Sequence, residues 1–378
     1  MPAKILIVED ERITAEDLRD ILTDLGYFVT RIVSSGAEAI AEVEQNRPDL
    51  VLMDINIHGD MDGTEVARAI LAGYDVPSII LSAHADVHTL RRARAAQPLG
   101  YLTKPFRDFE LRTVIEAALA RRKAETAAVA DDGAGKADPR DAEIAAVSEE
   151  MSSVVRFVCC IAQNEVRIAL IEGEPGAGKK HLARFLHSCR RHPNAPFVVV
   201  HGGAPHEVEA GSSATSWWET KAGGTIFLED VEKMPPRQQN ELLRRIEDNS
   251  LRDACVVAAT CRGLDQAVGQ GVFRLELYYR LNAISVRIPP LRDRRQDILP
   301  LAACFIQRQN ECLQSDVRGL SDPAAALLLA HHWPGNVDEL RSVIERAMRF
   351  ERAPWIDPAA LCLDIPWNAA RTDAMSAS

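Results

Sequence analysis

The feature that most constrains this chain of 378 residues is an alternation: apolar runs of β type are separated by amphipathic stretches of helical period. Near the N-terminus the runs cover residues 4–8, 27–33, 49–53, 77–81 and 99–103, with helical stretches at 12–25, 63–72 and 106–122. Strands alternating with helices predict a parallel sheet. In an open parallel sheet the reactive groups collect at the carboxyl ends of the strands, so residues far apart in sequence converge there. Glu9, Asp10, Asp54, Ser82 and Lys104 all stand at those ends.

Three carboxylates in one place repel one another unless a cation neutralises them, and a hard, oxygen-seeking ion such as Mg²⁺ suits a site that keeps several waters. The expected metal ligands are Glu9, Asp10 and Asp54. Asp54 is the expected nucleophile, since a carboxylate can form an acyl phosphate while the metal and Lys104 neutralise charge developing on the phosphoryl oxygens. Ser82 is placed to hydrogen-bond the new phosphate. Together the five predict a phosphoryl switch.

These residues lie in the segments Ile5-Leu6-Ile7-Val8-Glu9-Asp10-Glu11, Leu52-Met53-Asp54-Ile55-Asn56, Met61-Asp62-Gly63 and Leu102-Thr103-Lys104-Pro105-Phe106. The set resembles the receiver domain of bacterial two-component response regulators, whose fold is a flavodoxin-like, doubly wound α/β sheet. The resemblance implies that the backbone carbonyl of Asn56 completes the metal shell and that Lys104-Pro105 is a cis peptide. It also implies that Tyr101 swings inward with Ser82 on phosphorylation, and that a cognate sensor histidine kinase or phosphotransfer protein is the donor.

The chain is too long for one ordinary core, so two domains and a linker are expected. Residues 1–122 form the first domain; residues 123–141, rich in Ala, Asp and Gly, read as a flexible linker. The second domain runs over 142–363, and 364–378 is a small, polar tail. A net charge of -11 and a pI near 5.5 argue against broad nucleic-acid affinity. The eight cysteines include the neighbours Cys159 and Cys160 but no matched Cys-x-x-Cys pairs, so reduced, buried thiols are expected rather than a zinc site or a disulfide framework. With neither a leader nor a long apolar run, the expected location is cytoplasmic, with no membrane contact.

A β-type run at 166–171 leads into Gly173-Glu174-Pro175-Gly176-Ala177-Gly178-Lys179-Lys180 and then a helical stretch through Cys189. Strand, glycine loop and helix make a phosphate cradle. Backbone amides approach the phosphates at Gly173, Gly176 and Gly178, and Lys179 reaches the outer ones. Lys180 stands where the general loop has a Ser or Thr on the metal. Further on, Gly223-Gly224-Thr225-Ile226-Phe227-Leu228-Glu229-Asp230 is a buried strand ending in two acids. With the run 256–260 and the segments Phe273-Arg274-Leu275-Glu276-Leu277-Tyr278-Tyr279-Arg280-Leu281-Asn282, Pro289-Pro290-Leu291-Arg292-Asp293-Arg294 and Trp333-Pro334-Gly335-Asn336-Val337-Asp338-Glu339-Leu340, the second domain resembles the AAA+ domain of NtrC-type activators that remodel sigma-54 RNA polymerase. That resemblance implies a P-loop α/β subdomain over 142–288, a small helical subdomain over 289–363, and ATP or ADP as ligand. It also makes Arg274 and Arg280 the arginines that reach a neighbouring subunit's nucleotide.

Several positions depart from the family pattern. The strand-end acids are Glu229-Asp230 where the family has Asp-Glu, and a misplacement of about 1 Å can cost about a hundredfold in rate. Cys261 stands at the sensor Asn, and His201 where an Asn restrains the catalytic Glu. Asp338 replaces an Arg that would face the nucleotide. Residues 202–222 lack the family's Gly-Ala-Phe-Thr-Gly-Ala loop, and Trp217 and Trp218 there read as core packing. After Phe350, Pro354, Pro358 and Pro366 interrupt any helix-turn-helix, so no direct DNA contact is expected. The resulting expectation is a response regulator phosphorylated on Asp54, whose AAA+ domain binds nucleotide, hydrolyses it poorly and acts as a protein-interaction output. Self-association or joining other AAA+ activators would then regulate transcription indirectly. The alternative is an active ATPase of the sigma-54 activator class.

Overall fold

The computed structural model describes residues 2–82, 100–104, 106, 108, 111–112, 114–116, 118–119, 146–163, 166–203, 224–248, 250–251, 254–261, 263–350 and 354–363. The first sheet comprises β1 (Lys4–Val8), β2 (Phe28–Val33), β3 (Leu50–Asp54), β4 (Ser78–Ser82) and β5 (Gly100–Thr103), in the order β2-β1-β3-β4-β5. Every pairing is parallel. Helices α1 (Arg12–Asp24), α2 (Gly36–Asn46) and α3 (Gly63–Tyr74) connect its early strands.

The strands are almost continuously apolar because both sheet faces are covered. Leu6, Val8, Val51, Met53 and Ile80 pack with Ala39, Val43, Val66 and Ile70 on one face. Ile5, Ile7, Leu50, Leu52, Ile79 and Leu81 pack with Leu18, Leu22, Leu111 and Ile115 on the other. The ladder reaches one residue further than the apolar runs suggest: Asp54 pairs with Leu81, and Ser82 with Thr103. Asp54 and Ser82 therefore belong to the strands and are not loop residues beyond them. Cross-strand pairing, which hydropathy does not report, makes the difference.

The second sheet has β6 (Ile168–Glu172), β7 (Phe197–His201), β8 (Thr225–Glu229), β9 (Cys255–Thr260) and β10 (Ser285–Arg287), all parallel, in the order β10-β6-β9-β8-β7. The helices around it are α4 (Glu149–Gln163), α5 (Lys179–Ser188), α6 (Pro236–Glu247), α7 (Leu264–Gly269) and α8 (Leu275–Leu281). A helical subdomain follows: α9 (Ile298–Leu313), α10 (Asp322–Ala330), α11 (Asn336–Phe350) and α12 (Pro358–Leu361), with the short parallel pair β11 (Gly319–Leu320) and β12 (Trp355–Ile356). Its core is centred on the fully buried Trp333, whose indole N–H donates to Leu328 O at 2.9 Å.

Tyr101 lies on β5 with its side chain outside the described residues, as are Pro105, Trp217, Trp218 and the segments 123–141 and 364–378. The expected burial of the thiols is corrected: of the eight cysteines only Cys255 is buried, and Cys312 and Cys362 are exposed. Cys255 sits in a central strand, whereas Cys159, Cys160, Cys304 and Cys312 ride on helices that each keep one face toward water. Among the described residues no helix is long and apolar enough to cross a membrane.

Candidate functional site

At the carboxyl end of the first sheet, β1 delivers Glu9, β3 Asp54, β4 Ser82 and β5 Lys104. Glu9, Asp54 and Ser82 are buried, and Asp10 is exposed. Lys104 is drawn in by its own backbone, whose N–H donates to Ser82 O at 2.8 Å. Its ammonium then donates to Glu9 Oε2 at 2.6 Å and to Asp54 Oδ2. Burial pushes the Glu9 carboxyl up to about 7; the Lys104 hydrogen bond opposes this and the Asp54 charge adds to it. Burial alone would lower Lys104, but its two carboxylate partners outweigh that and hold it above its ordinary value.

Local sequence explains how the rim of this site is held. Asp62 caps α3, accepting from Thr64 N–H at 2.8 Å and Glu65 N–H at 3.0 Å, while Glu65 accepts from Asp62 N–H at 3.1 Å. Gly63 follows because a Cβ there would lie 1.8 Å from Asp54 O. The Asn56 N–H donates to Asp54 Oδ1 at 3.0 Å, which orients the carboxylate. Glu9, Asp10 and Asp54 each offer a carboxylate oxygen, all within 4.8 Å of one another. An all-oxygen set on a partly open rim fits Mg²⁺.

The second sheet builds its pocket from the glycine loop between β6 and α5. Gly176 and Gly178 have φ of 72° and 101°, in the left-handed region that favours glycine. A Cβ on Gly176 would also lie 2.2 Å from Gly335 O. Lys179 opens α5, and its ammonium donates to Gly173 O, Glu174 O and the Cys261 sulfur, each at 3.0 Å. Lys180 follows it, half-buried.

The acids at the end of β8 are separately engaged. His201 Nδ1 lies 3.1 Å from Glu229 Oε2. Lys233 Nζ lies 2.6 Å from Asp230 Oδ2, and the Cys261 thiol donates to Asp230 Oδ1 at 3.4 Å. Burial raises the Glu229 carboxyl. Burial also works against a charged Asp230, but Lys233 outweighs it and holds that carboxyl below the ordinary range.

The helical subdomain grips the loop from the other side. Arg292 donates twice to Glu174, at 2.8 and 2.7 Å, and Arg294 donates to Ala177 O at 2.8 Å. Asn336 donates to Pro175 O at 3.0 Å, and the Val337 N–H to Gly176 O at 2.9 Å. Sequence reading quoted these segments without assigning the clamp. Its pairings span more than a hundred residues, so spacing along the chain gave no signal for them. Asp338 turns along its own helix to accept from Arg341 at 3.1 Å. Arg274 precedes α8, held by Asn240 and Glu276; Arg280 lies in the last turn of α8, half-buried.

Known proteins match both halves. Residues 5–116 match the response regulator receiver domain, 145–291 the sigma-54 interaction domain and 292–377 the AAA+ ATPase lid domain. The transcriptional regulatory protein ZraR of Klebsiella oxytoca is 32% identical over 387 residues, covering 96% of this chain and 86% of its own. The DNA-binding transcriptional regulator NtrC of Rhizobium meliloti is 32% identical over 369 residues, covering 91% and 75%. Among solved structures, NtrX of Brucella abortus in complex with ATP has a TM-score of 0.51 at 27% identity, covering 97% of this chain and 87% of that one.

Proposed function

Because this chain belongs to the NtrC-type response regulators, with a receiver, a sigma-54 interaction domain and an AAA+ lid, we propose that it is a phosphorylation-controlled docking protein whose nucleotide pocket binds ATP or ADP and turns it over poorly. Asp54 takes a phosphoryl group from a cognate sensor histidine kinase or phosphotransfer protein. A carboxylate oxygen bonds to phosphorus as the bond to the donor breaks. Mg²⁺, held by Glu9, Asp10, Asp54 and the Asn56 carbonyl, supplies neutralising charge when bound. Lys104 is already shared by Glu9 and Asp54, so it needs only a small shift to reach a phosphate on Asp54. Ser82, on the adjoining strand end, donates its hydroxyl to that phosphate.

In the second domain Lys179 exchanges its carbonyl and sulfur partners for nucleotide phosphates. Hydrolysis additionally needs one carboxylate on the metal and another that orients water. The observation that carries the reading is that both acids already have partners, Glu229 with His201 and Asp230 with Lys233, beside a loop that keeps its glycines and Lys179. The length of the two acids is also reversed. With the Gly-Ala-Phe-Thr-Gly-Ala segment missing from 202–222, the output is contact with other proteins. Self-association or association with intact AAA+ activators, through the edge bearing Arg274 and Arg280, would regulate transcription.

Steady-state ATP turnover of the full chain, activated by a phosphate mimic, tests this against Lys179→Ala as the blank. Turnover near the blank is expected. Robust turnover abolished by Lys179→Ala would reverse the conclusion and identify a working motor of the sigma-54 activator class.

A further inference from the structure

Cys159, past the midpoint of α4, and Cys189, which caps the C-terminus of α5, meet across 30 residues of sequence. Their sulfurs are 3.9 Å apart, in contact but not covalently bonded. Both are partly open to solvent, whereas Cys255 in the central strand is enclosed. Cys160 follows Cys159 but points about 100° further round the helix. Of the two neighbours, it is Cys159 whose sulfur meets Cys189.

We infer that Cys159 and Cys189 are a redox-sensitive pair whose disulfide pins α4 to α5, the helix that opens with Lys179. The two helices frame functional space: Met151 of α4 lines one cavity with Gly178, His181 and Leu182 beside the phosphate loop. A covalent tie between the helices therefore fixes one wall of that cavity. The sulfur–sulfur hydrogen bond and burial raise the Cys159 thiol above its ordinary value, so thiolate is scarce and the pair oxidises slowly, only when oxidant is in excess. In a reducing compartment such a bond is transient, as a sensor requires.

The oxidant class is a hydroperoxide. One thiol loses its proton and attacks the peroxide; the O–O bond breaks, sulfur becomes a sulfenic acid, and the peroxide is reduced to water or an alcohol. The second sulfur then attacks the sulfenic sulfur. An S–S bond forms, the S–O bond breaks, and the departing hydroxide takes the second thiol's proton as water. Two thiols and one hydroperoxide thus give one disulfide, one water and one further water or alcohol. The inference is independent of how nucleotide is processed, since it needs only the packing of α4 on α5.

The test treats the reduced full chain with hydrogen peroxide, alkylates free thiols and maps tryptic peptides by mass. The expected product joins peptide 157–167 to peptide 185–190 and is lost with dithiothreitol. It should vanish in Cys159→Ser and in Cys189→Ser and persist in Cys160→Ser, with alanine variants replacing any serine variant that fails to fold. The oxidised chain should melt roughly 5–10 °C higher than the reduced one, because the cross-link restricts the unfolded chain. A link that persists in Cys159→Ser, joins Cys312 or Cys362 instead, or never forms while the thiols over-oxidise would overturn the inference.

Discussion

In the receiver, one ammonium serves two acids: Lys104 bridges Glu9 and Asp54 between neighbouring strand ends. In the second sheet each acid has its own partner, His201 for Glu229 and Lys233 for Asp230. Both sites sit at the carboxyl ends of parallel strands, and both carry lysines. The shared cation leaves the receiver's carboxylates in one array that a metal and a phosphate can redistribute. The acids of the second sheet are instead partnered one by one.

The contrast breaks first at Asp54. Asp54→Asn should abolish acid-labile labelling of the full chain by a small phosphodonor, and persistent labelling would remove the receiver from the comparison. Next in size is the reverse repair of the pocket: exchanging the acids by Glu229→Asp with Asp230→Glu should raise ATP turnover at least about tenfold if their geometry limits it. An exchange that leaves turnover unchanged would point to Cys261 or Asp338, or to no defect at this strand end at all.

Lys179→Ala sharpens the claim that binding survives. At ATP about a hundredfold above its dissociation constant the wild type should gain about 2.7 kcal/mol, and the variant should lose that gain. An equal thermal shift in both chains would place the nucleotide elsewhere. The smallest effect concerns pH. Because the Glu9 carboxyl is raised to about 7, between its ordinary value and pH 7 the native state holds a proton that the unfolded state has released. Stability of the metal-free chain should therefore fall as pH rises from 5 to 8. Glu9→Gln should flatten this slope in calorimetry, and a profile identical to wild type would contradict the role given to burial.

Much of this was legible from residue order. The β-type runs located eight of the ten strands in the two large sheets to within a residue or two, missing β7 and β10, and the glycine loop announced Lys179 and its helix. The missed helix α2 has a mixed face of Ala, Glu and few large apolar residues, so its period is faint; its Ser35 cap, accepting from Glu38 N–H at 3.4 Å, was the available signal. The clamp from Arg292, Arg294 and Asn336 was not legible, because a charged residue's partner is a matter of distance and not of spacing.

Local chemistry, written in the sequence, determined the parallel architecture, the position of each carboxylate at a strand end and the conformational demand for Gly176 and Gly178. These follow from side-chain period and from sterics within a few bonds. Tertiary structure alone decided which cation each acid meets, that Asp338 faces Arg341 and that Cys159 reaches Cys189. Those across sheets and helices depend on the approach of segments far apart along the chain, where a shift of an ångström or two creates or removes a hydrogen bond, whereas the Asp338–Arg341 and Asp230–Lys233 pairs are three residues apart.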